Sequence, residues 1–245
     1  MKTSRSIKKT LASLALIAFA ACAPETSRSV IELPIIAIGD ARDTFSSGEL
    51  EITIVEAKVA LGPIYFCASA LPSDHVCASA RLELLEPFVI DLLAPEPKDA
   101  GIAEGSSGRI ASSQFNFGRS IFAGETLPTP LGESAQLLGG HSARFSLAIE
   151  GPEDRSQLVR VVLDLDPSRS GSLRVLGYRT EVDLDESIAS LEIRASAYEL
   201  LADLNYAGLD DEEGELELGP GDALYEAIAS RLASGSFPQF IWNKE

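Results

Sequence analysis

Apolar and polar residues alternate through Gly48–Ile54, GELEITI, and put Leu50, Ile52 and Ile54 on one face. Side chains along a strand point to opposite faces in turn, so this period of two predicts a half-buried strand. At Val55 the phase changes: Val55, Ala57, Val59 and Leu61 become the apolar set, with Glu56 and Lys58 opposite. A slip of one residue turns every side chain to the wrong face. A bulge or strand bend is therefore predicted between Ile54 and Val55. Gly62-Pro63 interrupts the run, and Ile64–Phe66 resumes it.

The same period returns downstream. Leu82–Leu93 predicts two strands broken at Pro87, and Gln114–Phe117 carries two aromatic residues on one face. In the clearest hairpin, Ala143, Phe145, Leu147 and Ile149 face Val159, Val161, Leu163 and Leu165 across the turn residues Gly151-Pro152-Glu153-Asp154. Leu173–Val182 and Ser190–Ala195 predict two more strands, whereas residues 94–113 and 124–140, with their prolines and glycines, are expected to be long loops. The C-terminal part changes character. Tyr198–Leu204 fits one or two helical turns, and Asp222 is placed to cap a helix over Ala223–Ala233, with Leu224, Ile228 and Leu232 in one stripe and Gly235 as its stop. Phe237–Trp242 predicts a last strand whose Phe240 and Trp242 share a core face. The expected fold class is all-β, a mainly antiparallel β-sandwich or barrel-like sheet with a short C-terminal helix.

Charge narrows the set of partners. The chain holds 37 Asp+Glu against 20 Lys+Arg, a net charge of −17; residues 1–21 carry four of the bases and no acid, so the remainder stands near −21. A body this acidic is repelled by nucleic acid and by anionic lipid headgroups, and no nucleic-acid partner is expected. A basic partner or a cation-bridged surface suits it better. Hydrophobic residues at 45% still suffice to fill a core.

The N-terminus sets the compartment. Lys2, Arg5, Lys8 and Lys9 precede an apolar run, Leu11–Ala21, which is too short to span a bilayer that needs about 20 residues. A basic start, a short apolar core and small residues at its end predict a secretory signal peptide over residues 1–21. The run ends Phe19-Ala20-Ala21-Cys22. That sequence resembles the lipobox of bacterial lipoproteins, with Phe19 where Leu, Val or Ile is usual. The resemblance implies cleavage before Cys22, acylation of its thiol and new amino group, and a membrane anchor through the N-terminal lipid. Ala23 after the cysteine, rather than Asp, implies the outer membrane. Ala18-Phe19-Ala20 also fits ordinary A-x-A cleavage, which would release a soluble periplasmic protein. Residues 22–30 would form a short polar tether and residues 31–245 a single β-rich domain.

With Cys22 assigned to lipid, Cys67 and Cys77 remain as an even pair in an oxidising compartment, and a disulfide around the loop Leu71-Pro72-Ser73-Asp74 is expected. Its chain-entropy contribution is about 2–3 kcal/mol. Two thiolates with His75 could instead bind a metal. The spacing lacks the C-x2-C of structural zinc sites, and the other histidine, His141, is distant in sequence. Calcium is a second metal reading: Asp210-Asp211-Glu212-Glu213 lies in an acidic loop, and Asp164-Leu165-Asp166-Pro167-Ser168 puts oxygens at alternate positions. Neither fits the EF-hand loop, and a solvated acidic turn is the plainer reading.

Catalytic motifs are scarce. The chain has no G-x-S-x-G, no P-loop, no G-x-G-x-x-G and no H-E-x-x-H. A Ser–His–Asp relay could be drawn through His75 or His141, and paired carboxylates could be chosen among the acids, but nothing singles either out. No catalytic residue is assigned. GELEITIVEAKVALGPIYFC, the later acidic loop, GPGDALYEAI and FPQFIW together resemble β-rich bacterial envelope lipoproteins. That likeness implies fold and location and no activity. The expected function is a membrane-anchored envelope lipoprotein acting as a non-catalytic binding or assembly module, with another envelope component bound through the loops at 94–113 and 124–140. The alternatives are a periplasmic metal carrier for copper, zinc or calcium and, behind it, a hydrolase without a recognisable motif. No cofactor is expected beyond a calcium or transition-metal ion.

Overall fold

Two sheets of opposite habit share one core. The computed structural model describes residues 28–70, 80–120, 129–130, 138–152, 156–165, 175–209, 214–234 and 237–245. The strands are β1 (Val30–Ile38), β2 (Thr44–Ser47), β3 (Leu50–Leu61), β4 (Ile64–Cys67), β5 (Ala80–Leu84), β6 (Phe88–Asp91), β7 (Lys98–Ser106) and β8 (Gly108–Phe115). They continue as β9 (Arg119–Ser120), β10 (Thr129–Pro130), β11 (Ala143–Glu150), β12 (Ser156–Leu163), β13 (Val175–Leu184), β14 (Ile188–Arg194), β15 (Gly214–Leu218) and β16 (Gln239–Lys244). Helix α1 spans Ala197–Leu201 and α2 spans Ala223–Ala233. The fold is all-β, as the alternating pattern predicts.

The six-stranded sheet runs β15-β12-β11-β3-β2, with β6 also paired to β3. The predicted hairpin forms in register from Ala143↔Leu163 to Glu150↔Ser156. The phase change in β3 is a bulge: Ser146 faces Glu56 and Leu147 faces Ile54, which leaves Val55 as the extra residue. Val55 is 58% exposed, so it leaves the apolar face instead of joining Ala57, Val59 and Leu61. One unpaired residue restores the phase for both halves of the strand.

The second sheet has eight strands in the order β13-β8-β4-β5-β7-β1-β14-β16. It curls until its two edge strands meet through side chains. Trp242 Nε1 on β16 donates to Thr180 Oγ1 on β13 at 3.1 Å, and the Tyr178 and Phe240 rings stand 5.6 Å apart, edge to face. Phe66 sits inside the curl, 5.3 Å from Phe240 and 5.1 Å from Trp242. The core placement of Phe240 and Trp242 expected from their spacing holds. Leu82–Leu93 does form two strands around Pro87, but β5 joins the eight-stranded sheet and β6 the six-stranded one.

Residues 94–113 depart from expectation, because β7 and β8 occupy most of what was expected to be a loop. The glycines that suggest turns serve the sheet. A Cβ on Gly105 would stand 1.9 Å from the Arg81 carbonyl oxygen, so only glycine permits the approach of β7 to β5. Gly101, at φ +110°, accompanies a bulge in which Ile35 faces Gly101 and Ile36 faces Asp99. Of residues 124–140, only Thr129–Pro130 and 138–140 lie among the described residues. Strand β1, not among the strands expected from sequence although Ile31, Leu33, Ile35 and Ala37 recur with a period of two, pairs parallel with β14 and antiparallel with β7.

Helix α2 follows its stripe: Leu224, Ile228 and Leu232 are all buried. Asp222 precedes it as the N-cap residue, but its carboxylate accepts from the Gly219 N–H at 2.8 Å instead of from the helix.

Candidate functional site

Because β1 and β14 are parallel and in register to Ile38↔Arg194, both strands end on the same edge of the curled sheet. The Ala195 N–H donates to the Ile38 carbonyl at 3.0 Å and holds the two exits together. From β1 the chain turns through Gly39-Asp40-Ala41-Arg42; from β14 it enters α1 through Ser196. Two adjoining clefts open there. One of about 540 Å3 is lined by Tyr198, Arg231 and Phe237, and one of about 460 Å3 by Asp40, Arg42 and Pro95; Arg194, Ser196, Glu199 and Gln239 line both.

The polar groups of this region are tied together. Ser196 Oγ accepts from the Glu199 N–H at 3.1 Å, capping α1, and donates to Asp40 Oδ2 at 3.0 Å. Asp40 also accepts from Arg42 Nε at 2.7 Å and from the Arg42 backbone N–H at 3.1 Å. The Arg42 guanidinium lies 4.4 Å from the centre of the Tyr198 ring and 3.7 Å from Glu199 Oε1. Such stacking on an aromatic face is attractive to a cation. At the far end of α1, Arg231 donates to the Glu199 and Leu200 carbonyls, both at 3.2 Å. These are helix-terminal acceptors that a cation satisfies well.

The Arg42 hydrogen bond holds the Asp40 carboxyl below the usual carboxylate range. The stability this gives is present above the ordinary carboxylate pKa and is lost as pH falls through the lowered one. Behind the cleft, burial pushes the Tyr206 phenol well above its ordinary value, and its hydroxyl donates to the Leu201 carbonyl at 2.9 Å.

The residues predicted from sequence are scattered. Cys22, His75, Cys77, Asp210, Asp211, Glu212 and Glu213 lie outside the described residues. Cys67 ends β4, 1% exposed, opposite Ser112 and Ala80. His141 precedes β11, with Nδ1 2.9 Å from Asp164 Oδ1 and both side chains partly exposed. Ser142, next along, has its Oγ bound to the Leu165 N–H at 3.2 Å. Among the described residues, no three His, Cys, Asp or Glu side chains gather as a metal site.

Sequence reading missed the cleft, although one signal was present. Ser196-Ala197-Tyr198-Glu199 has the S-x-x-E spacing of a capping box, which marks a helix start. The serine half forms; the Glu199 carboxylate turns toward Arg42. No sequence rule places Asp40 and Arg42 beside it, across a separation of more than 150 residues.

The fold defines an all-β protein with a curled, nearly closed sheet and a polar cleft at one end. No protein-family model matches the chain, and no curated protein matches it. Among solved structures it is similar to MbnP from Methylosinus trichosporium, with a TM-score of 0.36 and 11% identity, over 82% of this chain and 86% of that chain.

Proposed function

We propose that the chain is a membrane-anchored cell-envelope lipoprotein, acylated at Cys22, whose body is a non-catalytic binding or assembly module. The observation that carries this reading is the cleft beside α1, where charges of both signs are held in place by one another. Groups fixed in this way match a complementary charged surface without having to be ordered first, and ordering is one of the main costs of association. The recognition surface proposed for the expected loops moves accordingly, because residues 94–113 are largely strand. A Cys67–Cys77 disulfide belongs to the same reading. The even count of cysteines left once Cys22 is acylated supports it. The partner is another envelope component with basic groups, or a surface bridged by cations.

The test is capture from crosslinked envelopes, with partners identified by mass spectrometry. Arg42→Ala combined with Glu199→Ala is expected to stay folded, with a melting temperature lowered only by loss of the Arg42–Asp40 contact, and to lose the captured partner, and added salt should weaken capture by the wild type. Unchanged capture by the double variant would remove the cleft from the function.

One observation favours a second reading, metal carriage. His141 is oriented through Nδ1 by Asp164, the carboxylate–imidazole pairing that steadies many metal-ligating histidines. Calorimetric titration with Cu2+, Zn2+ and Ca2+ decides it: stoichiometric binding that His141→Ala abolishes would displace the binding-module reading.

A further inference from the structure

We infer that the protein meets its membrane end-on: the end of the curled sheet where β1 begins lies against the phospholipid headgroups, and the cleft beside α1 faces away from them. This rests on acylation of Cys22 as proposed above, and it follows from chain length. Ser29 is seven residues beyond Cys22. Seven residues reach at most about 25 Å when fully extended.

Ser29 is itself fastened to the body. The Ser107 N–H donates to the Ser29 carbonyl at 2.9 Å, the Ser29 N–H donates to Ser107 Oγ at 3.1 Å, and Val30 is in register with Ser106. From there β1 runs nine residues to Ile38 and the cleft, a rise of about 30 Å. Strands of a curled sheet tilt by about 35–45°, so a body resting on its cleft end would hold Ser29 about 20–25 Å from the surface, at the full stretch of the tether.

The turns at the β1 end confirm which surface would be presented. Leu184 pairs with Gly108 and Lys244 with Ile188, so the β7–β8 turn, the β13–β14 turn and the C-terminal residues share this end with Val30. Its bases are Arg28, Arg81, Arg109 and Lys244. Its acids are Glu32, Glu104, Asp183, Asp185, Glu186 and Glu245; Glu32 faces Glu104 at the level where Ile188 faces Lys244. Acids exceed bases here too, so headgroup phosphates do not draw this end in by charge, and the short tether alone sets the orientation. Val30, 81% exposed, adds an apolar contact at the junction with the tether.

The experiment uses the full acylated chain in phosphatidylethanolamine–phosphatidylglycerol vesicles, with one cysteine introduced at an exposed site: Glu186→Cys at the β1 end or Asp203→Cys beside α1. Each is challenged with a maleimide on a bulky, membrane-impermeant polymer, and the wild type sets the background. Flotation of the same sample reports anchoring separately. The expected result is that the protein floats, Asp203→Cys reacts as it does in the soluble Cys22→Ala form, and reaction at Glu186→Cys is lost. A long Gly/Ser insertion after Ala23 should restore it while flotation persists. Equal reaction at both sites in floating protein overturns the orientation and leaves the anchor standing; equal loss at both means that the body lies on its flank, which also overturns it. Protein that does not float overturns the anchor, and the orientation with it.

Discussion

In the six-stranded sheet the buried face is mostly aliphatic: Ile52, Ile54, Leu147, Val159 and Val161 lie in register across three strands, each at most 2% exposed. In the eight-stranded sheet the interior of the curl is filled by Phe66, Phe115, Tyr178, Phe240 and Trp242, rings in edge-to-face contact. The aliphatic face is built from neighbours already paired by the backbone. The aromatic cluster joins strands that are far apart in the sheet order, and it holds the two edges together without a backbone ladder. Large rings reach across a space that branched aliphatic side chains do not span, and their edge-to-face geometry adds to what their burial contributes. Side chains can thus curl a sheet that the ladder leaves open.

The sharpest test of that contrast is truncation on each side. Phe66→Ala should destabilise by about 3–5 kcal/mol and Leu147→Ala by about 2–5 kcal/mol, measured by urea unfolding. The contrast predicts that the phenylalanine is the costlier of the two; the reverse order would mean that the ladder-bound face carries the fold. A smaller effect is expected at the seam. Trp242 and Thr180 should couple by about 1 kcal/mol in a cycle of Trp242→Phe, Thr180→Val and the double variant. Strict additivity would show two edges that merely lie near each other. The smallest effect belongs to the bulge. Val55→Thr should change stability by no more than about 0.5 kcal/mol, because the side chain already faces water. A core-sized loss there would overturn the assignment of Val55 as the extra residue.

Legibility followed the length of the interactions. The β11–β12 hairpin could be read because its turn and both of its faces lie within about twenty residues, and helix α2 because its cap and stripe are local. The bulge in β3 was visible as a phase change, although which residue would be expelled was not: that depended on β11 opposite, where Ser146 and Leu147 skip Val55. Strands β7 and β8 were hidden by glycines that serve the sheet, Gly105 through its close approach to Arg81 and Gly101 through its positive φ at the bulge opposite Ile35, which no local pattern records. The candidate site was the least legible part. Its one local signal, the Ser196–Glu199 spacing, predicts a helix start and nothing about Asp40.

The sequence by itself determined the strand content, the faces of the main hairpin, the C-terminal helix and the core placement of Phe240 and Trp242. Each of these follows from side-chain periodicity, which the backbone geometry of a strand or helix imposes without help from distant residues. Only the tertiary structure decided that β5 and β6 part to different sheets and that β1 runs parallel to β14. It alone brought the Asp40 turn beside Ser196. Those outcomes depend on which strand edges find each other when the apolar faces are buried together. Pairing across a hundred residues or more carries no signature in the order of polar and apolar positions, because any strand with a matching face can satisfy the same pattern.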